Sequence, residues 1–373
     1  MRIAFCRSNP IAPDPRVEKE ARALRQAGHE VVVVGWDRTG ELPIDEKLDQ
    51  VSITRLPIKA RFGRGLMNLP QLLRWQWRLL KWLVHNRGAY DVIHACDFDT
   101  ILPALWLKRW AGKQVVYDIF DFYADHLRAT PDSIKELIRR VDFAAINHAD
   151  AIILVDDSRK GQIAGTRPKR LEVIYNSPED VLGSFIENPN PRVDGDLHLA
   201  YVGLLQVERG LFELLEVLKA HPRWTLDLAG FGGDQARILE QAAGMPNVTW
   251  HGRISYAAAL ELSCHADALI ATYDPAIPNH RFSSPNKIFE AMMLAKPVIV
   301  ACNTNMDRII TEENCGLVIP YGDRDALERA LIRLSAEPDL RQNLGKNARQ
   351  AYETVYSWDH MRSRLLGLYE KIG

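Results

Sequence analysis

Apolar and polar positions alternate along the chain with two different periods. Short β-branched runs at 3–5, 31–35, 92–94, 115–118, 151–155 and 171–174 predict strands, and similar runs recur at 197–202, 225–228, 248–250, 268–271 and 297–301. Between them a helical repeat predicts helices at 18–28, 134–147, 211–220, 236–243 and 287–295. Strands that alternate with helices in this way form parallel sheets covered on both faces. The stretch 176–196 contains Pro178, Gly183, Pro189, Pro191 and Gly195 with little periodicity, and predicts a linker. The fold class expected is α/β, with two Rossmann-like parallel-sheet domains facing across a cleft. Ligands of such folds bind at the carboxyl ends of the strands.

One segment departs from the alternation. From Gln50 to Tyr90 there is no acidic residue but there are eight cations: Arg55, Lys59, Arg61, Arg64, Arg74, Arg78, Lys81 and Arg87. Within it Leu69, Leu72, Leu73, Leu79, Leu80 and Leu83 keep a helical repeat. Arg74, Arg78, Lys81 and His85 share another face, with Trp75, Trp77 and Trp82 between. A basic, Trp-rich amphipathic helix suits the headgroup layer of an anionic membrane. The competing reading is an ordinary helix covering the sheet with a solvated basic face.

Composition narrows the classes. The 373 residues are 47% hydrophobic and 25% charged, which excludes a disordered or low-complexity chain, and the length suits two domains. A net charge of −1 argues against a general nucleic-acid binder. The balance is uneven: residues 1–180 carry 28 Lys/Arg against 24 Asp/Glu, and the remainder 19 against 24. Five cysteines (Cys6, Cys96, Cys264, Cys302, Cys315) lie far apart with no CxxC pair, so neither a disulfide framework nor a zinc site is expected. The start reads as a first strand rather than a signal peptide, and no apolar run approaches the ~18 residues that span a bilayer. A cytoplasmic protein is expected, peripheral on the cytoplasmic membrane face if it touches one.

Candidate chemistry concentrates in the second half. Strand 197–202 is followed by Gly203, then Arg209-Gly210, then a helix. A glycine at a strand end permits close backbone approach, a helix start offers free N–H groups, and Arg209 adds a bidentate cation. Together they make a candidate diphosphate cradle. In Ser283-Ser284-Pro285-Asn286-Lys287 a second helix begins, with Ser284 expected as N-cap and Pro285 in the first helical position. Lys287 and Glu290 are spaced to share one face: the cation suits phosphate, and the carboxylate one turn deeper suits ribose hydroxyls. The competing reading is a self-satisfied Lys–Glu pair. Gly230 and Gly232 end one strand and Arg253 follows another, where a base could lie.

These motifs are similar to a known family. YVGLLQVERG, LAGFGG, VTWHGRIS, SSPNKIFEAMMLAKPVIV and CGLVIPYGDRDALERAL, in that order, resemble the retaining GT-B glycosyltransferases of family 4, glycosyltransferase group 1. DPRVEKEARALRQAGHEVVVVGW and YDVIHACDFDTILPAL resemble its N-terminal domain, and SWDHMRSRLLGLYEKI its closing helix. The resemblance implies an acceptor-binding domain over 1–178, a linker over 179–196, a nucleotide-sugar domain over 197–356 and a helix over 357–373 that packs back on the first domain.

The same resemblance implies transfer of a hexose-type sugar, with retention, from a nucleoside diphosphate to a hydroxyl of a glycan or lipid-linked acceptor, as in polysaccharide or cell-envelope biosynthesis. Arg209 and Lys287 would take the diphosphate and Glu290 the ribose. Gly203, Gly230, Gly232, Ser284 and Asn286 would shape the donor site, with Arg253 near the base. In the first domain Arg16 would lie at the acceptor edge, and His94, Asp97, Asp118 and Asp121 would be catalytic candidates. The competing reading of His94 and Asp97 is a pair that holds the loop. No cofactor and no metal are expected; Asp97-Phe98-Asp99 has the form of a metal-binding DxD, but at a helix start in the wrong domain.

Three positions depart from the family pattern. Leu204 replaces an arginine of the phosphate loop, Phe282 replaces the first of two paired glutamates, and Phe120 stands where many members have a histidine. Asp118 or Asp121 would then substitute in part. Two other readings remain: a non-catalytic nucleotide-sugar-binding partner of a transferase, and a nucleotide-sugar epimerase on the same fold.

Overall fold

A computed structural model describes residues 1–60, 68–127, 130–185 and 196–373. The chain divides into two compact units, one formed by Met1–Tyr175 with Met361–Gly373 and the other by Asn176–His360.

The first unit contains β1 (Arg2–Arg7), α1 (Pro15–Gln26), β2 (Glu30–Asp37), β3 (Asp45–Leu48), β4 (Val51–Pro57), α2 (Leu69–His85) and β5 (Val92–Cys96). It continues through α3 (Phe98–Ala111), β6 (Gln114–Ile119), α4 (Tyr123–His126), α5 (Asp132–His148), β7 (Ala151–Leu154) and β8 (Leu171–Val173). The sheet order is β3-β4-β2-β1-β5-β6-β7-β8, parallel except for β3 against β4. Strand order reverses between β1 and β5. Helix α1 starts where the Asp14 side chain accepts from the Val17 amide and Pro15 takes the first position.

Helix α2 revises the expected pattern. Its inner stripe is Trp75, Leu79 and Leu83, spaced four apart and fully buried, while Leu69 and Leu73 are exposed. Trp75 stacks on Trp36 at 5.5 Å, and its Nε1 donates to the Asp99 carbonyl at 3.2 Å. Burying Leu79 and Leu83 contributes roughly 1.5–3 kcal/mol each. The eight cations of 50–90 do not form one surface. Arg55 is buried in β4, paired with Glu46 and donating to the Pro10 and Pro43 carbonyls at 2.6 and 3.0 Å. Arg61 and Arg64 lie outside the described residues. Lys59, Arg74, Arg78, Lys81 and Arg87 are exposed.

The second unit contains β9 (Leu197–Leu204), α6 (Leu211–Ala220), β10 (Trp224–Phe231), α7 (Gln235–Ala242), β11 (Val248–Trp250), α8 (Tyr256–His265) and β12 (Ala268–Ala271). Then come α9 (Pro278–Arg281), α10 (Asn286–Met293), β13 (Val298–Ala301), α11 (Met306–Glu312), β14 (Gly316–Ile319), α12 (Arg324–Ala336) and α13 (Pro338–Ala351). All six strands are parallel in the order β11-β10-β9-β12-β13-β14, so the order reverses between β9 and β12. Strand β14, like β3 and β4, was not among the runs predicted from the sequence.

The expected linker is in part packed structure. Pro189, Pro191 and Gly195 fall outside the described residues, but the preceding residues belong to the second unit: Tyr352 donates to the Pro178 carbonyl at 2.9 Å, and Asp180 pairs with Arg349. Helix α14 (Trp358–Ile372) ends the chain, and from Met361 onward it belongs to the first unit. There Tyr369 bonds His94 at 2.8 Å, and Gln114 donates to the Ile372 carbonyl at 2.7 Å. Among the described residues no helix is long and apolar enough to cross a membrane.

Candidate active site

In the second unit the expected phosphate residues converge where strand order reverses. β9 ends in Gly203-Leu204, and a turn over Val207–Arg209 leads into α6. That turn is fixed from three sides. Thr272, just past β12, donates to the Arg209 carbonyl at 2.7 Å; Tyr321 donates to the Val207 carbonyl at 3.0 Å; and Asp234 accepts from the Val207 amide at 3.0 Å. Arg209 is thereby held nearly buried, its guanidinium 3.8 Å over the Tyr273 ring. Lys287, in the first turn of α10, places Nζ 3.6 Å from the centre of the Tyr201 ring. Tyr201 and Gly203 lie two apart on β9 and so share a face. A Cβ on Gly203 would sit 2.8 Å from Lys287 Nζ, so only glycine leaves the lysine this position.

Among the described residues, three buried polar atoms here have no hydrogen-bond partner: Arg209 Nη1, Lys287 Nζ and Ser284 Oγ. An unsatisfied buried donor costs about 1–3 kcal/mol, more when charged. Burial, and then the neighbouring Arg209, lower the Lys287 ammonium to about 7 against the opposing pull of Glu290. The site is electropositive.

The local helix start differs from expectation. Helix α10 begins at Asn286 with Pro285 in the capping position and no side-chain cap, so Ser284 does not cap it. Its hydroxyl has no hydrogen-bond partner among the described residues. Glu290 accepts from Tyr256 at 3.0 Å, so it is not self-paired with Lys287 alone. Gly230 and Gly232 serve close approach of backbones: a Cβ on Gly230 would sit 1.8 Å from the Gly203 carbonyl oxygen, and one on Gly232 2.1 Å from that of Leu205. Arg253 is exposed, its guanidinium 4.6 Å over the Phe231 ring. Leu204 and Phe231, paired in register at the ends of β9 and β10, are both exposed.

The first unit corrects the candidates placed there. Arg16 does not lie at an open edge. It is buried, bonded to Asp118 at 3.1 Å and to the Ile174 carbonyl at 2.8 Å, and 3.1 Å from Glu20. Asp118 and His94 are fully buried too: His94 Nε2 is 3.4 Å from Asp118, Nδ1 is 2.8 Å from Tyr369, and the ring stacks on Phe5 at 3.9 Å. Burial drives His94 below its usual range, whereas Asp118 stays low because Arg16 and His94 outweigh its own burial. Neither side chain reaches solvent, so neither can touch a substrate in this conformation. Glu20, which the sequence reading did not single out, completes the cluster, and burial pushes it up to about 8.

Asp97 and Asp121 are nearer the surface but already partnered. Asp97 pairs with Arg7 and accepts from the Phe120 and Asp121 amides at 2.8 and 3.3 Å, and Asp121 pairs with Arg159 at 2.6 Å. Asp99, its partner in the DxD pattern, accepts from Ser8 at 2.8 Å. Phe120 lies between two guanidiniums, 4.1 Å from Arg7 and 4.8 Å from Arg16. Metal-type ligands come together among the described residues at His94, Cys96 and Asp118, all buried, but there Arg16 already supplies the cation on Asp118.

A family model described as "Glycosyl transferase 4-like domain" matches residues 13–177, and one described as "Glycosyl transferases group 1" matches 184–351. The chain belongs to the group 1 glycosyltransferases. Glycogen synthase of Mycobacterium tuberculosis is 23% identical over 371 residues, 93% of this chain and 88% of that protein. Among solved structures, sucrose-phosphate synthase of Thermosynechococcus elongatus has a TM-score of 0.79 at 18% identity, covering 100% of this chain and 99% of that one. HepE of Anabaena, in complex with UDP-glucose, has a TM-score of 0.73 at 15% identity and covers 100% of both chains. These likenesses establish the GT-B architecture that the sequence predicts, and the family makes the chain a glycosyltransferase.

Proposed function

We propose that this glycosyltransferase moves a hexose-type sugar, with retention at the anomeric carbon and without a metal, from a nucleoside diphosphate to a hydroxyl of a glycan or lipid-linked acceptor. The observation that carries the reading is the grouping of Arg209 Nη1, Lys287 Nζ and Ser284 Oγ, buried and without a partner among the described residues at the strand-order reversal. HepE, a structural neighbour, was solved with UDP-glucose, which agrees with a nucleotide-sugar. As the anomeric C–O bond breaks, charge builds on the diphosphate, where two fixed cations stabilise it more than in the ground state. A new C–O bond forms to the acceptor oxygen, whose proton passes to a departing phosphate oxygen on the same face. A double displacement through Asp118 is disfavoured because that carboxylate is buried on Arg16.

All five cysteines are free, which suits a reducing cytoplasm. We place the enzyme there, with the exposed cations of α2 and just beyond it (Arg74, Arg78, Lys81 and Arg87) turned to an anionic membrane. The test is a thermal-shift screen of nucleotide-sugars beginning with UDP-glucose, followed by transfer assays. Arg209→Ala should lower turnover at least ~100-fold, since a buried charge-assisted bond contributes roughly 1.5–3 kcal/mol and more in the transition state. Near-normal transfer by Arg209→Ala at unchanged stability would mean that the donor site lies elsewhere.

A further inference from the structure

Helices α2 and α3 pack side by side, and two contacts fix their register. Trp75 Nε1 of α2 donates to the Asp99 carbonyl at the start of α3, and the Arg87 guanidinium just beyond α2 lies 5.9 Å from the centre of the Trp110 ring near the end of α3. The helices therefore run in the same direction. On α2 the outward positions are Leu73, Arg74, Trp77, Arg78, Lys81 and His85, all exposed. On α3 they are Leu102, Trp106, Arg109 and Trp110, also exposed. Trp77, Trp106 and Trp110 stand 56, 46 and 56% exposed. Trp106 and Trp110 stack at 5.3 Å, and Lys81 Nζ sits 4.9 Å over Trp77.

We infer that the outer faces of α2 and α3 form one docking surface for an anionic lipid bilayer, with the α3 tryptophans Trp106 and Trp110 as its interfacial anchors. This deepens the membrane reading given above and is independent of the donor site. The charge is one-sided: neither 68–90 nor 100–113 contains an acidic residue. Indole rings flanked by Lys and Arg occupy the headgroup boundary, where the ring is half-buried and the cation meets lipid phosphate. A second copy of this chain fits poorly, because a two-fold contact sets each basic row against its own like. A nucleic acid would use the cations but gives Leu73 and Leu102 nothing to bury against, whereas acyl chains do.

The test uses the full chain with vesicles of phosphatidylcholine alone, vesicles of equal parts phosphatidylcholine and phosphatidylglycerol, and the mixed vesicles carrying bromine on their acyl chains. The wild type should sediment with the mixed vesicles only, and brominated chains should quench its tryptophan emission. Reversing Arg74, Arg78 and Lys81 to Glu should weaken binding roughly 100-fold or more, at about fivefold per cation near the surface. Trp106→Ser with Trp110→Ser should weaken it about tenfold or more and remove most of the quenching, while melting and nucleotide-sugar binding stay unchanged. Unaltered vesicle binding by that Trp variant overturns the α3 anchors and leaves the membrane reading standing. Failure of the wild type to bind overturns both, and neither outcome touches the donor assignment. Binding to phosphatidylcholine alone at equal strength, capture of RNA in preference to vesicles, or self-association abolished by the Trp variant each overturns the inference as well.

Discussion

If Lys287 is a donor-phosphate ligand, nucleotide binding must be coupled to proton uptake, with a sign and size that follow from its surroundings. In the free protein burial and Arg209 lower the ammonium to about 7 from 10.5. A diphosphate placed against Nζ supplies the missing counter-charge and restores a pKa near the ordinary lysine value of ~10.4. Binding should then take up about half a proton at pH 7 and close to one at pH 8.5. Affinity should fall about tenfold per pH unit between roughly 7.5 and 9, a range in which the phosphate, with its pKa of ~6, no longer titrates. The linked stability runs the other way. Between about 7 and 10.5 the unfolded chain holds more protons than the folded one, so the ligand-free protein gains stability as pH rises. Below 7 the full penalty of the buried ammonium is present, of the order of a few kcal/mol. Lys287→Met should therefore melt higher than wild type near pH 6.5, with the difference shrinking toward pH 10, while its nucleotide binding becomes weak and pH-independent. Calorimetry with UDP in buffers of different ionisation enthalpy reads the proton count directly. Binding of undiminished strength from pH 7 to 9 with no proton uptake would refute the assignment of Lys287.

Other perturbations test separate parts of the structure. Glu20 is buried beside Asp118 and raised to about 8, so the folded protein loses stability as pH rises from about 4.5 to 8; Glu20→Gln should melt higher than wild type at pH 8 and lose that advantage near pH 5. Leu204 is 41% exposed at the end of β9, so Leu204→Arg should fold normally and tighten binding of a nucleoside diphosphate by about tenfold, read by calorimetry. Weaker binding would mean that the leucine side chain itself contacts the ligand.

Period-2 and period-3.6 patterning made the two parallel sheets legible, and the strand–glycine–arginine–helix and Ser-Pro-Asn-Lys segments located residues that converge in the second unit. Tyr201 was also readable, since it lies two residues before Gly203 on the same strand face. What the sequence could not convey was burial of charge. Arg16 stands in the first turn of α1, His94 in the middle of β5 and Asp118 near the end of β6, and the sequence alone does not mark any of them as interior. Only the tertiary fold, with Glu20 one turn along α1 and Tyr369 contributed from α14, turns them into an interior ion cluster. The same applies to Arg55, whose neutralising Glu46 arrives on the antiparallel strand β3. Ser284 was misread because a Ser-Pro pair before a helix usually caps it, whereas here the helix start leaves its hydroxyl unused.

The first unit is discontinuous in the chain, and this orders its synthesis. Residues 176–360 form a unit that is continuous in sequence, whereas the unit begun earlier is complete only with residues 361–373. Until those residues arrive, His94 has no Tyr369 and the Gln114 side chain has no Ile372 carbonyl. The segment translated first therefore cannot complete its unit without residues translated after the second, and without them the ion cluster around Asp118 is one wall short.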